Sequence, residues 1–478
     1  MDHSPPNAVV LINPQAEYAA EVAQKCYPPM GLLYLAAALR DEGFAPHVID
    51  ANAFVLSDAA VAARVAQARP LVTGIPVYTE ILPKVASLIR AVHAAWPGAR
   101  IVLGGPHATA VPEKTLAQFP LADFVLAGEA ERTLPMLCRA AEKDEGFWDV
   151  PGLHFREDGR TLQGPAHKLP EVSRITPPAR DLVEDGYREK RYHSLLVRRR
   201  PVDTLFTSRG CPFSCGFCYN FRHRYRARAP EDVLAELSSI RSRGIRDVEI
   251  TDDTFTVDEG RALDIFRLIR SERLGLSFRI KSRVDVFSER IARGARAAGV
   301  YLVAFGAESA DQRILDAMNK KITVSQIADS IALAKKYRLA SHTSWVVGYP
   351  GETPESIEAM VRFIGKARPT TANIAVLRPY PDTAVYCQAR DAGTLTGDWN
   401  PETGEIPWVR LPWAPSRKTL EEACSRALHR VYLRPYYVGA FAWMIASNMN
   451  TTLFRYAWQE SKKALRHKLT PESMSGLR

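Results

Sequence analysis

The chain has 478 residues, 46% of them hydrophobic and 24% charged, the balance of an ordinary folded protein and too long for one average domain. Its 63 Lys and Arg against 53 Asp and Glu leave a formal charge of +10, which suits an acidic ligand, an anionic membrane surface or nucleic acid and selects none of them. Met1 to Pro6 lack the basic stretch of a secretory leader and no apolar run nears the roughly 18 residues of a spanning helix, so a cytoplasmic protein is expected.

Ala8 to Ile12 reads as a buried strand, and after Gly31 the residues Leu32, Leu35, Ala36 and Leu39 recur on one helical face. Strand-like runs at 45–50, 71–75, 100–103 and 123–126 alternate with helical pattern, which predicts an α/β, doubly wound, Rossmann-like parallel sheet over residues 1–143. Ligands of such sheets lie beyond the carboxyl ends of the strands. The candidate binding loops are therefore Asn13-Pro14, Pro76-Val77-Tyr78-Thr79, Gly104-Gly105-Pro106-His107-Ala108-Thr109 and Gly128-Glu129-Ala130-Glu131. None is a G-x-G-x-x-G, so a nicotinamide cofactor is not expected.

Residues 144–200 are rich in turn signals and read as a connecting segment with one hairpin. Six strand candidates follow at 202–207, 246–251, 277–282, 300–306, 340–348 and 371–378, separated by helices, which predicts a six-unit partial (β/α) barrel over 201–390 with its site at the strand C-termini. Asp252-Asp253-Thr254, Lys281-Ser282-Arg283, Gly306-Ala307-Glu308-Ser309 and Gly348-Tyr349-Pro350-Gly351-Glu352-Thr353 end four of those strands. Residues 391–478 begin irregular and rich in Trp and Pro, then turn helical from about 418 to 468, a C-terminal, mainly helical cap. Its apolar stretch Val431 to Ile445, followed by Arg455, Lys462, Lys463, Arg466 and Lys468, suits a packed cap, a cover over a hydrophobic substrate, or peripheral contact with the inner membrane face. No RNA-binding module is recognisable, so no nucleic-acid partner is expected.

Cys26, Cys138, Cys387 and Cys424 are scattered, while Cys211-Pro212-Phe213-Ser214-Cys215-Gly216-Phe217-Cys218 concentrates three thiols directly after the first strand of the barrel. C-x-x-x-C-x-x-C cannot complete a tetrahedral zinc site alone, but three thiolates can hold three irons of a 4Fe-4S cube and leave the fourth open to chelate a substrate. Gly210, Pro212 and Gly216 favour a loop that wraps a cluster. Zinc completed by a distant residue such as His223, and plain buried cysteines, are the alternatives. Arg222, Arg224, Arg226 and Arg228 either steer an anion or form a solvated or salt-bridged face.

With Phe217 before its last cysteine, this motif resembles that of the radical S-adenosylmethionine superfamily. The resemblance implies Cys211, Cys215 and Cys218 as cluster ligands and a substrate S-adenosylmethionine (SAM) on the open iron. It also implies a low-potential electron donor of flavodoxin or ferredoxin type and cleavage to a 5′-deoxyadenosyl radical. By the same resemblance Asp252, Ser282, Arg283, Glu308 and Gly348 contact the SAM. With Pro28-Pro29-Met30-Gly31-Leu32-Leu33-Tyr34 upstream, the first domain resembles the cobalamin-binding domain of one large subgroup. Asn13, Pro76, Tyr78, Thr79, Gly104, Gly105, His107, Thr109, Gly128 and Glu129 would then embrace the corrin. None of the eleven His sits in D-x-H-x-x-G, so cobalamin without a protein histidine beneath cobalt is expected, His107 instead bonding within its own loop. The reaction expected is methylation of an unactivated carbon of a small-molecule, lipid or natural-product substrate. The alternatives are radical cyclisation or ring rearrangement of the anaerobic protoporphyrin cyclase type, a non-catalytic cobalamin or iron–sulfur sensor, and a zinc scaffold.

Overall fold

The computed structural model describes residues 7–15, 25–194, 196–219 and 224–439. Strands β1 (Ala8–Asn13), β2 (Ala45–Asp50), β3 (Val72–Pro76), β4 (Ile101–Gly104) and β5 (Phe124–Leu126) pair in parallel in the order β2-β1-β3-β4-β5. β1 is apolar throughout because both its faces are covered. Val9 and Leu11 join Leu32, Ala36 and Leu39 of the helix Met30–Asp41 in one core, and Val10 and Ile12 join Leu82, Val85 and Ile89 of the helix Leu82–Ala95 in another. The strand order reverses between β1 and β3, the place where open α/β sheets form a ligand crevice.

The hairpin of the connecting segment, β6 (Leu153–Glu157) and β7 (Arg160–Gln163), adds antiparallel to β5 and makes this a seven-stranded sheet. Its two-residue turn, Asp158-Gly159, has positive φ at both positions (48° and 74°), matching the right-handed twist of the strands it joins.

β8 (Val202–Leu205) opens the second unit, and the short β9 (Ser208–Arg209) and β10 (Arg226–Ala227) pair antiparallel on either side of the cysteine loop. β11 (Asp247–Ile250), β12 (Ser277–Ser282), β13 (Val300–Glu308), β14 (Ala340–Val347) and β15 (Thr371–Val376) complete a parallel six-stranded sheet in the order β15-β14-β13-β12-β11-β8. It curves as a partial barrel and stays open. On β14 the side chains of Ser341, Thr343, Trp345 and Val347 are buried, while Ala340, His342, Ser344 and Val346 on the inner face are only half-buried.

The helix Arg417–Tyr432 packs on β15, where the Tyr432 hydroxyl donates to the Ala372 carbonyl at 2.5 Å and accepts from its N–H at 3.0 Å. The part of the expected cap beyond residue 439 lies outside the described residues. Before that helix the chain returns to the first domain. Trp399, 1% exposed, enters the core built on Val10, Ile12, Val85 and Leu103, and its indole N–H donates to the Pro379 carbonyl at 2.9 Å. Among the described residues no helix is long and apolar enough to cross a membrane.

Candidate active site

The cysteine loop is held from several sides. Asp252, buried at the end of β11, accepts from the Thr207 N–H (2.6 Å), the Thr207 hydroxyl (2.5 Å) and the Ser208 hydroxyl (2.6 Å), which fixes the strand leading into Gly210, itself at φ 79°. Asn319 donates to the Ser214 carbonyl at 2.8 Å, and the Gly216 N–H to the Met318 carbonyl at 2.8 Å. A side chain at Gly216 would come within 3.2 Å of the Tyr349 hydroxyl, so the loop presses close to the loop after β14. Cys211 and Cys215 are half-buried, Cys218 is exposed, and none of the three is in a disulfide. Burial pushes the Cys211 thiol up, with Asp253 adding to it. Arg283 donates to Cys215 Sγ at 3.6 Å, lies 3.7 Å over the Phe213 ring and donates to the Lys320 carbonyl at 2.7 Å. Three cysteines outside any disulfide on one braced loop suit three corners of a cube. Among the described residues no three His, Cys, Asp or Glu side chains converge on a single-ion site, and His223, the zinc alternative's fourth ligand, lies outside them with Arg222.

The other strand ends converge on this loop. Glu308 terminates β13 in the left-handed region (φ 63°) beside a shift in register with β14, and its carboxylate meets Lys320 Nζ at 2.8 Å. Burial alone would lower the Lys320 ammonium, but Glu308 and Cys215 outweigh it and leave it raised. Gly306 makes room for this pair, since a Cβ there would sit 2.4 Å from Glu308 Oε1. The Ser282 hydroxyl lies 2.6 Å from that of Thr256 and donates to the Arg283 carbonyl at 2.9 Å. Gly348, at φ 98°, donates its N–H to Glu352 at 2.5 Å; burial pushes that carboxyl up to about 8 despite the bond.

In the first domain Gly105, at φ 87°, turns the chain so that the His107 N–H reaches the Val77 carbonyl at 3.1 Å. A Cβ on Gly105 would lie 3.2 Å from the Val77 nitrogen. His107 is fully buried, its Nδ1 lies 3.0 Å from the Thr79 hydroxyl, and burial lowers it to about 4. Its partner is thus in the neighbouring loop, not its own, because that turn folds the 105–110 helix onto the β3 loop. Thr109 donates to the Gly105 carbonyl at 2.8 Å and accepts from the Gly128 N–H at 3.0 Å, tying two candidate loops together. Asn13 donates to Asp50 at 2.8 Å, and Pro76 ends β3 beneath the β3 loop. Tyr78 keeps 48% of its surface accessible, while burial and Glu80 push its phenol up.

Two contacts join the halves of the site. The Tyr219 hydroxyl, next after Cys218, lies 2.9 Å from the Thr79 hydroxyl, and its ring packs 4.6 Å from that of Tyr380, which bonds Glu80 and stacks on Trp399. Glu129 pairs with Arg209 at 2.8 Å and with Arg226, and Glu131 pairs with Arg209 at 2.5 Å. Burial alone would raise the Glu129 carboxyl, but Arg226 and Arg209 hold it below the ordinary range. Glu129 therefore braces the cysteine loop, and Arg226 and Arg228, the latter paired with Glu236, are salt-bridged. Sequence reasoning passed over Lys320, Asn319, Arg209 and the role of Tyr219. Lys320 and Asn319 follow the helix Gln312–Ala317 and end no strand, so no positional rule marks them.

Residues 205–364 match the radical SAM superfamily and residues 18–137 the B12 binding domain. The chain is 33% identical over 436 residues to an uncharacterized methyltransferase, PH0819, of Pyrococcus horikoshii, spanning 89% of this chain and 93% of that protein. It is 27% identical over 463 residues to an anaerobic magnesium-protoporphyrin IX monomethyl ester cyclase of Cereibacter sphaeroides, spanning 94% and 72%. Its fold resembles that of the radical SAM methyltransferase TsrM from Kitasatospora setae with cobalamin and a [4Fe-4S] cluster bound (TM-score 0.73, 19% identity, 90% of this chain and 92% of that one). The cobalamin-dependent SAM radical enzyme OxsB, with aqua-cobalamin and SAM bound, is similar as well (TM-score 0.74, 15% identity, 92% and 71%).

Proposed function

Because the chain belongs to the radical SAM superfamily, in its branch with an N-terminal cobalamin-binding domain, we propose that it methylates an unactivated carbon of a small-molecule substrate. The cofactors are a 4Fe-4S cluster, SAM and cobalamin, which when bound supply an electron, a hydrogen-abstracting radical and a transferable methyl group. The observation that carries the proposal is the 2.9 Å contact between Tyr219 and Thr79: it turns the cysteine loop toward the crevice of the first domain, so that a radical made at one and a methyl held at the other can meet on one substrate.

In this reading Cys211, Cys215 and Cys218 hold three irons, and Arg283 lends a hydrogen bond to the Cys215 sulfur. Ser282, Glu308 and Gly348 face the SAM from the strand ends, while Asp252 holds the entry to the cysteine loop. Asn13, Pro76, Tyr78, Thr79, Gly104, Gly105, Thr109 and Gly128 line the corrin crevice, and Glu129 braces it against Arg209 and Arg226. His107, bonded to Thr79 and fully buried, stays out from beneath cobalt. We place the domains at 1–143, 201–390 and 391–478, with the hairpin of the connecting segment 144–200 and the stretch around Trp399 packed into the first of them. The reaction draws on a low-potential flavodoxin- or ferredoxin-type donor in the cytoplasm.

Similarity to the cyclase along 94% of the chain supports a second reading, radical cyclisation without methyl transfer. Turnover with deuteriomethyl-labelled SAM decides between them. Label in the product is the expected result; an unlabelled product made at the same rate as 5′-deoxyadenosine would assign the cyclase.

A further inference from the structure

The inner face of the partial barrel carries charges that the cysteine loop does not use. Register sets its side chains in rows. Glu249 on β11 lies beside Arg279 on β12 and Leu302 on β13. Two residues further along, Lys281 lies beside Ala304, His342 on β14 and Thr371 on β15, and beyond them come Gly306, Ser344 and Asn373. Ala304, Gly306, His342 and Ser344 are half-buried, and Asn373 and Ala375 are exposed, although all sit in strands of the sheet. An accessible inner face lined by small and polar residues is a place for a ligand.

The segment before the helix Met30–Asp41 closes the floor of this space. Tyr27 donates to Glu249 at 2.5 Å, Arg279 reaches the Ser194 hydroxyl at 3.1 Å, and Lys25 comes beside both charges. Lys25 is lowered by burial and then by Arg279, with Glu249 opposing and Lys281 adding, yet its side chain is accessible. His342 is lowered to about 4 by burial, Lys25 and Arg279, and is neutral at pH 7. Asp247, at the foot of β11, is taken up by the N–H groups of Arg198 and Arg199 and by the Tyr301 hydroxyl. Among the described residues, three cations, Lys25, Arg279 and Lys281, thus share the floor with one available carboxylate, Glu249, which Arg279 already engages at 3.3 Å. Arg279 Nε is buried without a partner, and Lys281 makes a long bond, 3.4 Å to the Thr251 carbonyl. Cations gathered out of bulk water repel one another unless an anion joins them.

We infer that this floor is a docking subsite for an anionic group of the substrate, a carboxylate or a phosphonate, held between Lys25 and Lys281 with Arg279 behind. A substrate anchored there extends along Ala304, Gly306 and Ser344 toward the strand ends and presents its reacting carbon below the cysteine loop. The inference rests on the methyl-transfer reading for naming the ligand a substrate; the binding of an anion stands apart from it.

Competitive lysine acetylation of the reconstituted, full-length holoprotein, read by peptide mass spectrometry, tests the subsite. Methylphosphonate and succinate are the probes, neutral dimethyl methylphosphonate the control, and Lys418, with 85% of its side chain exposed, the internal reference. One of the anions is expected to slow acetylation of Lys25 and Lys281 about fivefold relative to Lys418, and the stronger protector tells phosphonate from carboxylate. Lys281→Gln loses the protection at Lys25, and Lys281→Arg keeps it. Unchanged labelling with either anion overturns the inference, as does equal protection by the neutral ester. Full protection by SAM alone, with no further effect of either probe, would assign the cations to SAM and overturn it too. The 5′-deoxyadenosine formed in parallel samples reports on the radical reading alone, so protection without cleavage sinks that reading and leaves the subsite.

Discussion

β1 sends Val9 and Leu11 into one core and Val10 and Ile12 into another, whereas β14 buries Thr343, Trp345 and Val347 on one side and leaves His342, Ser344 and Val346 half-accessible on the other. Both strands are central and parallel. A sheet covered on both faces has no room for a ligand except past its strand ends, and the first domain accordingly offers loops. A sheet covered on one face needs apolar residues on that face alone. Its other face is free to carry Glu249, Arg279, Lys281 and His342, so the second domain offers a lined interior as well as loops.

If the two sheets divide the work in this way, damage to one leaves the other's cofactor in place. The largest effect is expected for Cys215→Ala: formation of 5′-deoxyadenosine falls by about a thousandfold or more, because the cube loses a corner ligand, while bound cobalamin per chain is unchanged. Chromatography of the nucleoside and the visible spectrum of the corrin measure the two.

Glu352 is next. Its carboxyl binds a proton more tightly folded than unfolded, so wild-type stability is fully present below about pH 4.5 and declines as pH rises toward about 8. Glu352→Gln, which keeps an acceptor for the Gly348 N–H, flattens this profile and is more stable than wild type at pH 8 by on the order of 4 kcal/mol. Urea unfolding across that range detects it; parallel profiles for the two proteins would refute the assignment.

Gly105→Ala is the mirror image of the cysteine variant. Strain at φ 87° and the 3.2 Å approach to Val77 distort the β3 and β4 loops by about 1–3 kcal/mol. Cobalamin affinity drops roughly tenfold or more, whereas SAM cleavage stays within about twofold. Equilibrium titration with hydroxocobalamin gives the first number. The smallest effect belongs to Glu402→Ala. It breaks a 2.9 Å pair with Arg90 between the domains, but with side chains 53% and 65% exposed the change stays below about 0.5 kcal/mol in denaturant unfolding.

The strands were legible because each is a short apolar or alternating run bounded by turn residues, and Cys211, Cys215 and Cys218 because their spacing is itself the signal. What links the strands was not. Tyr219 stands in the motif, but its partner Thr79 is 140 residues away, and Arg226 finds Glu129 across 97. Such pairs depend on how two domains are set against each other, and no local period encodes that. Glu129 read as a ligand contact because it follows a strand end; the same position lets it reach two arginines flanking the cysteine loop. Tyr27 lies outside every regular element of the first sheet and bonds Glu249 inside the second. The hairpin turn Asp158-Gly159 was legible as a turn, but not the sheet its strands would join.

Trp399 has a bearing on how the chain can be recombined. Its indole completes the core of a domain that began almost four hundred residues earlier, and Gln118 and Lys114 hold its flanks through the Trp399 carbonyl and Asp398. The first domain is therefore not a detachable cassette. A chimera that exchanged residues 1–143 for those of a relative would inherit a foreign socket for this indole, and an excised fragment would carry a hole the size of the ring. Transplanting the domain means transplanting 398–406 with it, two discontinuous pieces of sequence that make one heritable unit.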